Sequence, residues 1–390
     1  MSAPNARGVK NARGDEPARR RATLRDAARR LLGTSRARAT AWGVLFAALL
    51  LLPLPLRGAE ATEPALGVVD LHVDLPYRHF FKKRPFSSGL GEFVADHLKA
   101  AGVVGVVLPL YVPEWASPEG PRNVDLENSY AAVYQAILDT PPYSLPGCGV
   151  HGAGPGAPRE VQTWLAFEGA APLEAGDRAS AEQSVSRWML RGVRSFGLVH
   201  SRHNVLASSS GQQLASGQGG LTPRGRELVL AIARQRGLID ISHASDETVD
   251  DVVKLAEPFG ARVIATHSNA RALANHPRNL SDRHLRAIAR TGGVIGVNFH
   301  QGFLSATGQA SLRHVVEQVR YMLRVAGPDH VALGSDYEGG IRPVPELADA
   351  SRYRVLAAAL EKSGVERAVV RKVFSENALR VLCPSKWAER

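Results

Sequence analysis

The stretch Gly237–Asn269 reads GLIDISHASDETVDDVVKLAEPFGARVIATHSN, and its pattern decides the fold. Two short, β-branched apolar runs, Gly237–Ser245 and Arg262–Asn269, bracket a segment, Asp246–Leu255, whose apolar residues recur at helical spacing. Near-continuous apolarity suits parallel strands buried on both faces, whereas half-exposed hairpin strands alternate. Each run ends in polar residues that include one histidine, His243 in the first and His267 in the second.

The same unit repeats outward in both directions. Further runs lie at Gly67–Asp74, Gly102–Val112, Thr163–Ala170, Gly192–His200, Gly292–His300 and His330–Gly339, which brings the set to eight. Helical patterns separate several of them. Thr222–Arg236 opens with Thr222 as a cap and Pro223 at the first helical position, and places Leu228, Leu230, Ile232 and Ala233 at helix-like spacing. Asp282–Arg290 and Ser311–Val325 read in the same way. Eight strand–helix units predict an α/β fold of the (β/α)8 TIM-barrel type over residues 62–390, with a doubly wound open sheet as the competing architecture. The longest gap, Pro113–Gln162, is dense in Pro and Gly around a predicted helix at Val124–Asp139, and reads as a rim insertion over the barrel mouth.

Polar residues favour the barrel. The first run ends in His72-Val73-Asp74, where period-two alternation turns the imidazole and the carboxylate to the same side and Val73 away. Glu168, His200, His243, His267 and Asp336 end the third, fourth, fifth, sixth and eighth runs. Any one of these alone reads as packing or rim. Together they are ionisable groups converging on an apolar barrel, a costly arrangement unless a divalent cation compensates them. Imidazoles and carboxylates without thiolates favour zinc, with manganese or cobalt as alternatives. Three of the histidines and the three carboxylates already make six groups, more than the three protein ligands of a typical catalytic zinc, which points to two metals and a bridging carboxylate.

Composition bounds the rest. The chain has 390 residues, is 44% hydrophobic, and carries 48 Lys+Arg against 37 Asp+Glu, a net charge of +11. Residues 1–61 hold 12 of the basic and 4 of the acidic residues, so the remainder is close to neutral, without the basic footprint of a nucleic-acid binder. Residues 1–40 read as a solvated basic leader outside the fold. Ala41–Leu56 is a charge-free apolar run followed by Ala59-Glu60-Ala61, so 41–61 reads as an export signal or, alternatively, a membrane anchor. The run falls short of the roughly 20 apolar residues of a spanning helix. An exported chain, periplasmic or extracellular, follows from either reading. The two cysteines, Cys148 and Cys383, can pair in an oxidising compartment, but the sequence leaves that open.

The motifs DLHVDLPY (70–77), LAFEGA (165–170), GLVHSRHN (197–204), LIDISHAS (238–245), THSNARALANHPRN (266–279), GGVIGVNF (292–299) and GSDYEGG (334–340) occur in an order that resembles the membrane dipeptidases of the metal-dependent amidohydrolase superfamily. The likeness spans nearly all of residues 67–383. It implies a zinc-dependent dipeptidase with two Zn2+ per chain, His72 and Asp74 on one, His243 and His267 on the other, and Glu168 bridging. It further implies attack by a metal-bridging hydroxide, Asp336 handling protons, His200 at the scissile carbonyl, and Arg278 clamping the substrate carboxylate. Tyr77 and Asn204 are expected to line the pocket. L-L and L-D dipeptides are the expected substrates, and homodimerisation is a family expectation. The alternatives are an amidohydrolase acting on N-acyl amino acids, lactones or β-lactams, and a non-catalytic binding barrel.

Two positions depart from the family pattern. Val73 stands where Asn is expected, facing away from the metals. Asp336-Tyr337-Glu338-Gly339 stands where Asp-Phe-Asp-Gly is common, and Glu338, expected to point the same way as Asp336, would reshape the pocket. His203, His276 and His300 lie near the mouth without an assigned role. His79, His97, His151, His284, His314 and His330 read as structural or solvated. The glycine-rich Ser208–Gly220 segment lacks a Gly-Lys-Ser/Thr ending and reads as a flexible rim loop.

Overall fold

The computed structural model describes residues 66–86, 91–111, 123–144, 148, 160–173, 176–212 and 219–383. The basic leader, the apolar segment at 41–61 and His151 lie outside them.

Nine strands form among the described residues: β1 Val68–Asp70, β2 Val103–Tyr111, β3 Tyr143–Ser144, β4 Val161–Glu168, β5 Val193–Gly197, β6 Leu238–Asp240, β7 Val263–Ile264, β8 Ile295–Val297 and β9 Val331–Leu333. All pair in parallel, in the order β7-β6-β5-β4-β2-β1-β9-β8. A parallel bridge, Ala265 to Ile295, joins the two ends of that order. The result is an eight-stranded parallel barrel of TIM type, and the open doubly wound alternative falls.

Two details differ from the sequence reading. The ninth strand, β3, comes from the insertion and pairs Tyr143 with Val161 on β4; two residues carry too little pattern to announce a strand. The ladders also stop earlier than the apolar runs suggest. Asp70 Oδ1 accepts the backbone N–H of His72, and Asp240 Oδ1 that of Ser242, both at 2.9 Å. An aspartate side chain thus takes over from the ladder and turns the chain into a loop.

The helices begin where their caps lie. Thr222, Ser245 and Ser281 each accept a backbone N–H three residues on, from Gly225, Thr248 and His284, opening helices Pro223–Arg234, Asp246–Ala256 and Asp282–Arg290. In the first of these Leu228, Ile232 and Ala233 are buried as expected, while Val229, rather than Leu230, completes the buried face. Helices Leu312–Ala326 and Asn123–Asp139 complete the expected set.

Val69, Leu71, Val107, Trp164, Ile264, Val294 and Ala332 form one apolar cluster, joined by Ala378, Val381 and Leu382 of the C-terminal helix. A larger cluster packs the helices onto the strands. A disulfide joins Cys148 of the insertion to Cys383, 235 residues away. Ser208 and Ser209 are buried, and bridges Ala207–Leu221 and Ser209–Ala244 tie the start of the expected rim loop into the fold. Residues 213–218 lie outside the described set. No helix among the described residues is long and apolar enough to cross a membrane.

Candidate metal centre

The carboxyl ends of six strands deliver the ionisable groups. Glu168 is the last residue of β4, while His200, His243, His267 and Asp336 each follow by three residues the ends of β5, β6, β7 and β9. His72 and Asp74 follow β1 by two and four. The shared offset brings all of them to one face of the barrel. His243 (φ 68°) and Asp336 (φ 67°) occupy the left-handed backbone region, a strain of order 1–3 kcal/mol each that is characteristic of functional sites.

Glu168 stands at the centre. Its Oε1 lies 3.1 Å from His243 Nε2 and 3.5 Å from the Nε2 atoms of both His72 and His267. Asp74 Oδ2 lies 3.6 Å from His72 Nε2. His243 and His267 face each other through their Nε2 atoms at 3.0 Å. Ligand atoms also converge within 4.8 Å in the trio His72, His267 and Asp336 and in the trio Glu168, His200 and His243. His72, Asp74, Glu168 and His267 are buried, and His243 nearly so.

Burial and charge act against each other here. Burial would lower the His72 pKa, but the Glu168 and Asp74 carboxylates hold it well above the ordinary value. Burial would raise Glu168, but His72 and His200 hold it well below. Asp336, pushed up by burial and then by the charge of Asp74, reaches about 7. Its Oδ2 accepts a hydrogen bond from Asn298 Nδ2 at 2.9 Å.

A cavity of about 260 Å3 opens onto these groups, lined among others by Tyr77, Tyr111, His200, Arg278, His300 and Phe303. Arg278 is buried, donates to the His267 carbonyl at 3.3 Å, and lies over the Phe303 ring at 5.4 Å. The His200 ring sits 4.3 Å from that of His243 and 4.6 Å from that of Tyr111. Two expectations need correction. Asn204 is not among the lining residues: its amide donates to Leu198 O and accepts from the N–H groups of Leu206 and Ala207, so it organises its own loop. Glu338 does not reach the cavity either. It forms a buried ion pair with Arg78 at 2.5 Å and accepts the Phe93 N–H at 2.9 Å.

The mouth histidines divide. His300 lines the cavity, whereas His203 accepts the Ser209 N–H and His276 that of Arg278. Several supporting residues escaped the sequence reading. Asp70 receives the His72 and Ser335 N–H groups and the Tyr353 hydroxyl. Asp240 receives Ser242 and Thr266, and Thr266 touches both His72 and His267. The signal for the aspartates was their place two residues before a turn to a candidate ligand.

These residues fit divalent metal. His72 Nε2 is buried, lacks a hydrogen-bond partner, and faces two carboxylates. Two imidazole nitrogens aimed at each other beside that same Glu168 oxygen need a shared cation or proton between them. Nitrogen and carboxylate donors without sulfur suit zinc and its neighbours.

A model of the family described as membrane dipeptidase (peptidase family M19) matches residues 57–388. Dipeptidase tcpJ of Claviceps purpurea is 32% identical over 192 residues, which cover 49% of this chain and 44% of that protein, so the chain spans less than half of that relative. Among solved structures, dipeptidase AC, a metallo peptidase of family M19, superposes with a TM-score of 0.69 at 26% identity, covering 81% of this chain and 98% of that one. A metallo peptidase from Rhodobacter sphaeroides liganded with a phosphinate mimic of the dipeptide L-Ala-D-Ala gives 0.68 at 25% identity, with the same coverage of each chain.

Proposed function

The chain belongs to the membrane dipeptidase family, peptidase family M19, and from that premise we propose that it is a metal-dependent dipeptidase, acting on L-L and L-D dipeptides with two zinc ions. The observation that carries the reading is Glu168 Oε1, within 3.5 Å of the Nε2 atoms of His72, His243 and His267. His72 and Asp74 would hold one ion, His243 and His267 the other, and Glu168 both. Bound there, the ions would lower the pKa of a shared water enough for attack at neutral pH.

The protein's own groups do the rest. Arg278, at the inner wall of the cavity, takes the substrate's terminal carboxylate in a charge-assisted, bidentate contact. His200 donates to the carbonyl oxygen as negative charge develops on it. Asp336, held by Asn298, takes a proton from the attacking water and passes it to the leaving amine. The phosphinate dipeptide mimic bound by the Rhodobacter sphaeroides relative supports an L-D substrate. The leader and the Cys148–Cys383 bond support export into an oxidising compartment.

The test is amino-acid release from a panel of L-L and L-D dipeptides, with and without added zinc, beside Glu168→Ala. Zinc-dependent release that vanishes in the variant is expected. Two bound zinc ions with no release from any dipeptide would redirect the assignment to N-acyl amino acids, lactones and β-lactams; ligand binding without turnover of any substrate would favour a binding barrel.

A further inference from the structure

We propose that Thr266 is a positioning residue whose single hydroxyl sets the tautomer of His72 and His267 together, and so couples the two halves of the metal centre. The inference rests on the metal-centre reading above and goes beyond its ligand set.

Thr266 follows β7 by two residues and is buried. Its Oγ1 lies 2.6 Å from Asp240 Oδ2, 2.9 Å from His267 Nδ1, and 3.2 Å from both His72 Nδ1 and Ser242 Oγ. A hydroxyl has one proton to give and two lone pairs to receive with. Asp240 takes the proton: its Oδ2 makes the shortest contact, while its Oδ1 already accepts the N–H groups of Ser242 at 2.9 Å and Thr266 at 3.1 Å. Toward the two rings Thr266 therefore acts only as an acceptor. Each ring must bring its own proton on Nδ1, and a neutral imidazole protonated there carries its lone pair on Nε2. Those are the atoms that face Glu168 Oε1, each at 3.5 Å.

One oxygen thus serves a ligand from each half of the centre, His72 beside Asp74 and His267 beside His243. The ring centroids of His72 and His267 are only 3.8 Å apart, tilted by 40°, as two rings reaching for one atom must be. Ser242 ties the same knot to the backbone, since its Oγ accepts the His267 N–H at 3.1 Å. His243 stands outside it, its Nδ1 buried without a partner.

The surroundings leave Thr266 no room to drift. A Cβ on Gly296 would fall 1.9 Å from the Thr266 carbonyl oxygen, and one on Gly334 1.8 Å from it. Gly296 on β8 and Gly334, just past β9, thus let the barrel wall close on the Thr266 carbonyl, which fixes the main chain that carries the hydroxyl.

The experiment is a zinc titration of metal-stripped protein against a chromophoric chelator, for wild type, Thr266→Val and Thr266→Ser. Valine keeps the shape and removes the hydroxyl; serine keeps the hydroxyl. Loss of a hydrogen bond that orients metal ligands costs roughly 10–100-fold in affinity, so both binding steps should weaken by about that factor in Thr266→Val and return to within about threefold in Thr266→Ser. Ring 15N spectra of the metal-free proteins, taken at alkaline pH where both rings are neutral, should show Nδ1-protonated His72 and His267 in wild type and serine variant, and mixed tautomers in the valine variant. Wild-type affinity in Thr266→Val, weakening of one step alone, or a serine variant as impaired as valine would overturn the proposal. If Thr266→Val does not fold, Thr266→Ala is read by the same criteria. Two bound zinc ions without dipeptide cleavage would sink the dipeptidase reading and leave this inference standing; no zinc bound to wild type would end both.

Discussion

His243 and His267 point their Nε2 atoms at each other across 3.0 Å, and both lie within 3.5 Å of one oxygen of Glu168. Such a cluster is stable with a divalent ion in it and strained without one. Removing the metal with a chelator should therefore lower stability by about 4 kcal/mol relative to protein at a thousandfold excess over Kd. For a chain of this size that is a drop in Tm on the order of 10 °C. Calorimetry with and without the chelator measures it, and an unchanged Tm would remove the metal from the folded state.

Asp336→Asn keeps the shape of the side chain and its neighbour Asn298 but removes the proton carrier. Turnover should fall by roughly 10²–10⁴-fold. Affinity for a phosphinate dipeptide mimic should stay close to wild type, measured by calorimetric titration. A parallel loss of both would make Asp336 a binding group.

Arg278→Met keeps the contact with Phe303 and loses the charge. The KM for dipeptides should rise roughly 10–100-fold, the worth of a charge-assisted hydrogen bond, while dipeptide amides, which lack the carboxylate, should be hydrolysed equally poorly by both proteins. Steady-state kinetics on the two substrate types decide it.

Gly339 is exposed, yet a Cβ there would meet Asp74 Oδ2 at 2.5 Å and Asp336 Oδ1 at 2.9 Å. Gly339→Ala should displace both carboxylates and abolish activity, with far-UV circular dichroism unchanged and stability altered by less than about 1 kcal/mol. Full activity in this variant would show that the 336–341 loop moves freely.

Burial, followed by the charge of Glu338, pushes Glu92 up to about 7 against the opposing hydrogen bond from the Glu338 N–H. Folded protein keeps this proton at pH values where the unfolded chain has lost it. Stability should therefore fall as pH rises from about 4.5 to about 7, by on the order of 2–3 kcal/mol. Glu92→Gln should flatten that slope in urea titrations of the metal-free protein at pH 5 and 7.5.

The barrel and its convergent groups were legible because two patterns coincide: apolar runs long enough to be strands, and His, Asp or Glu at their carboxyl ends. What was not legible has physical causes. Period-two alternation holds only for extended backbone, and with Asp336 at φ 67° and Glu338 at φ 69° the segment is a turn. Glu338 therefore turns to Arg78 instead of standing beside Asp336. Asn204 looked like a pocket residue because it follows His200 closely, but a loop residue with both ends of its amide spent on backbone has nothing left to offer a ligand. Asp240 and Thr266 were passed over because a polar residue inside an apolar strand resembles any satisfied core group. Only the distances reveal that Thr266 touches two metal-site histidines and that Asp240 holds its hydroxyl.

The bond between Cys148 and Cys383 closes a covalent ring around β4 to β9, and with it Glu168, His200, His243, His267, Arg278 and Asp336. Strands β1 and β2 lie outside the ring in the chain, yet in the barrel they fill the gap between β4 and β9. His72 and Asp74 thus arrive on a two-strand wedge that is held to the ring by noncovalent contacts alone and by the chain leading from β2 into it. Cutting the backbone between β2 and Cys148 would leave two pieces, one with two of the five proposed ligands and the other with three, neither able to hydrolyse anything, which should regain a working centre only on recombination.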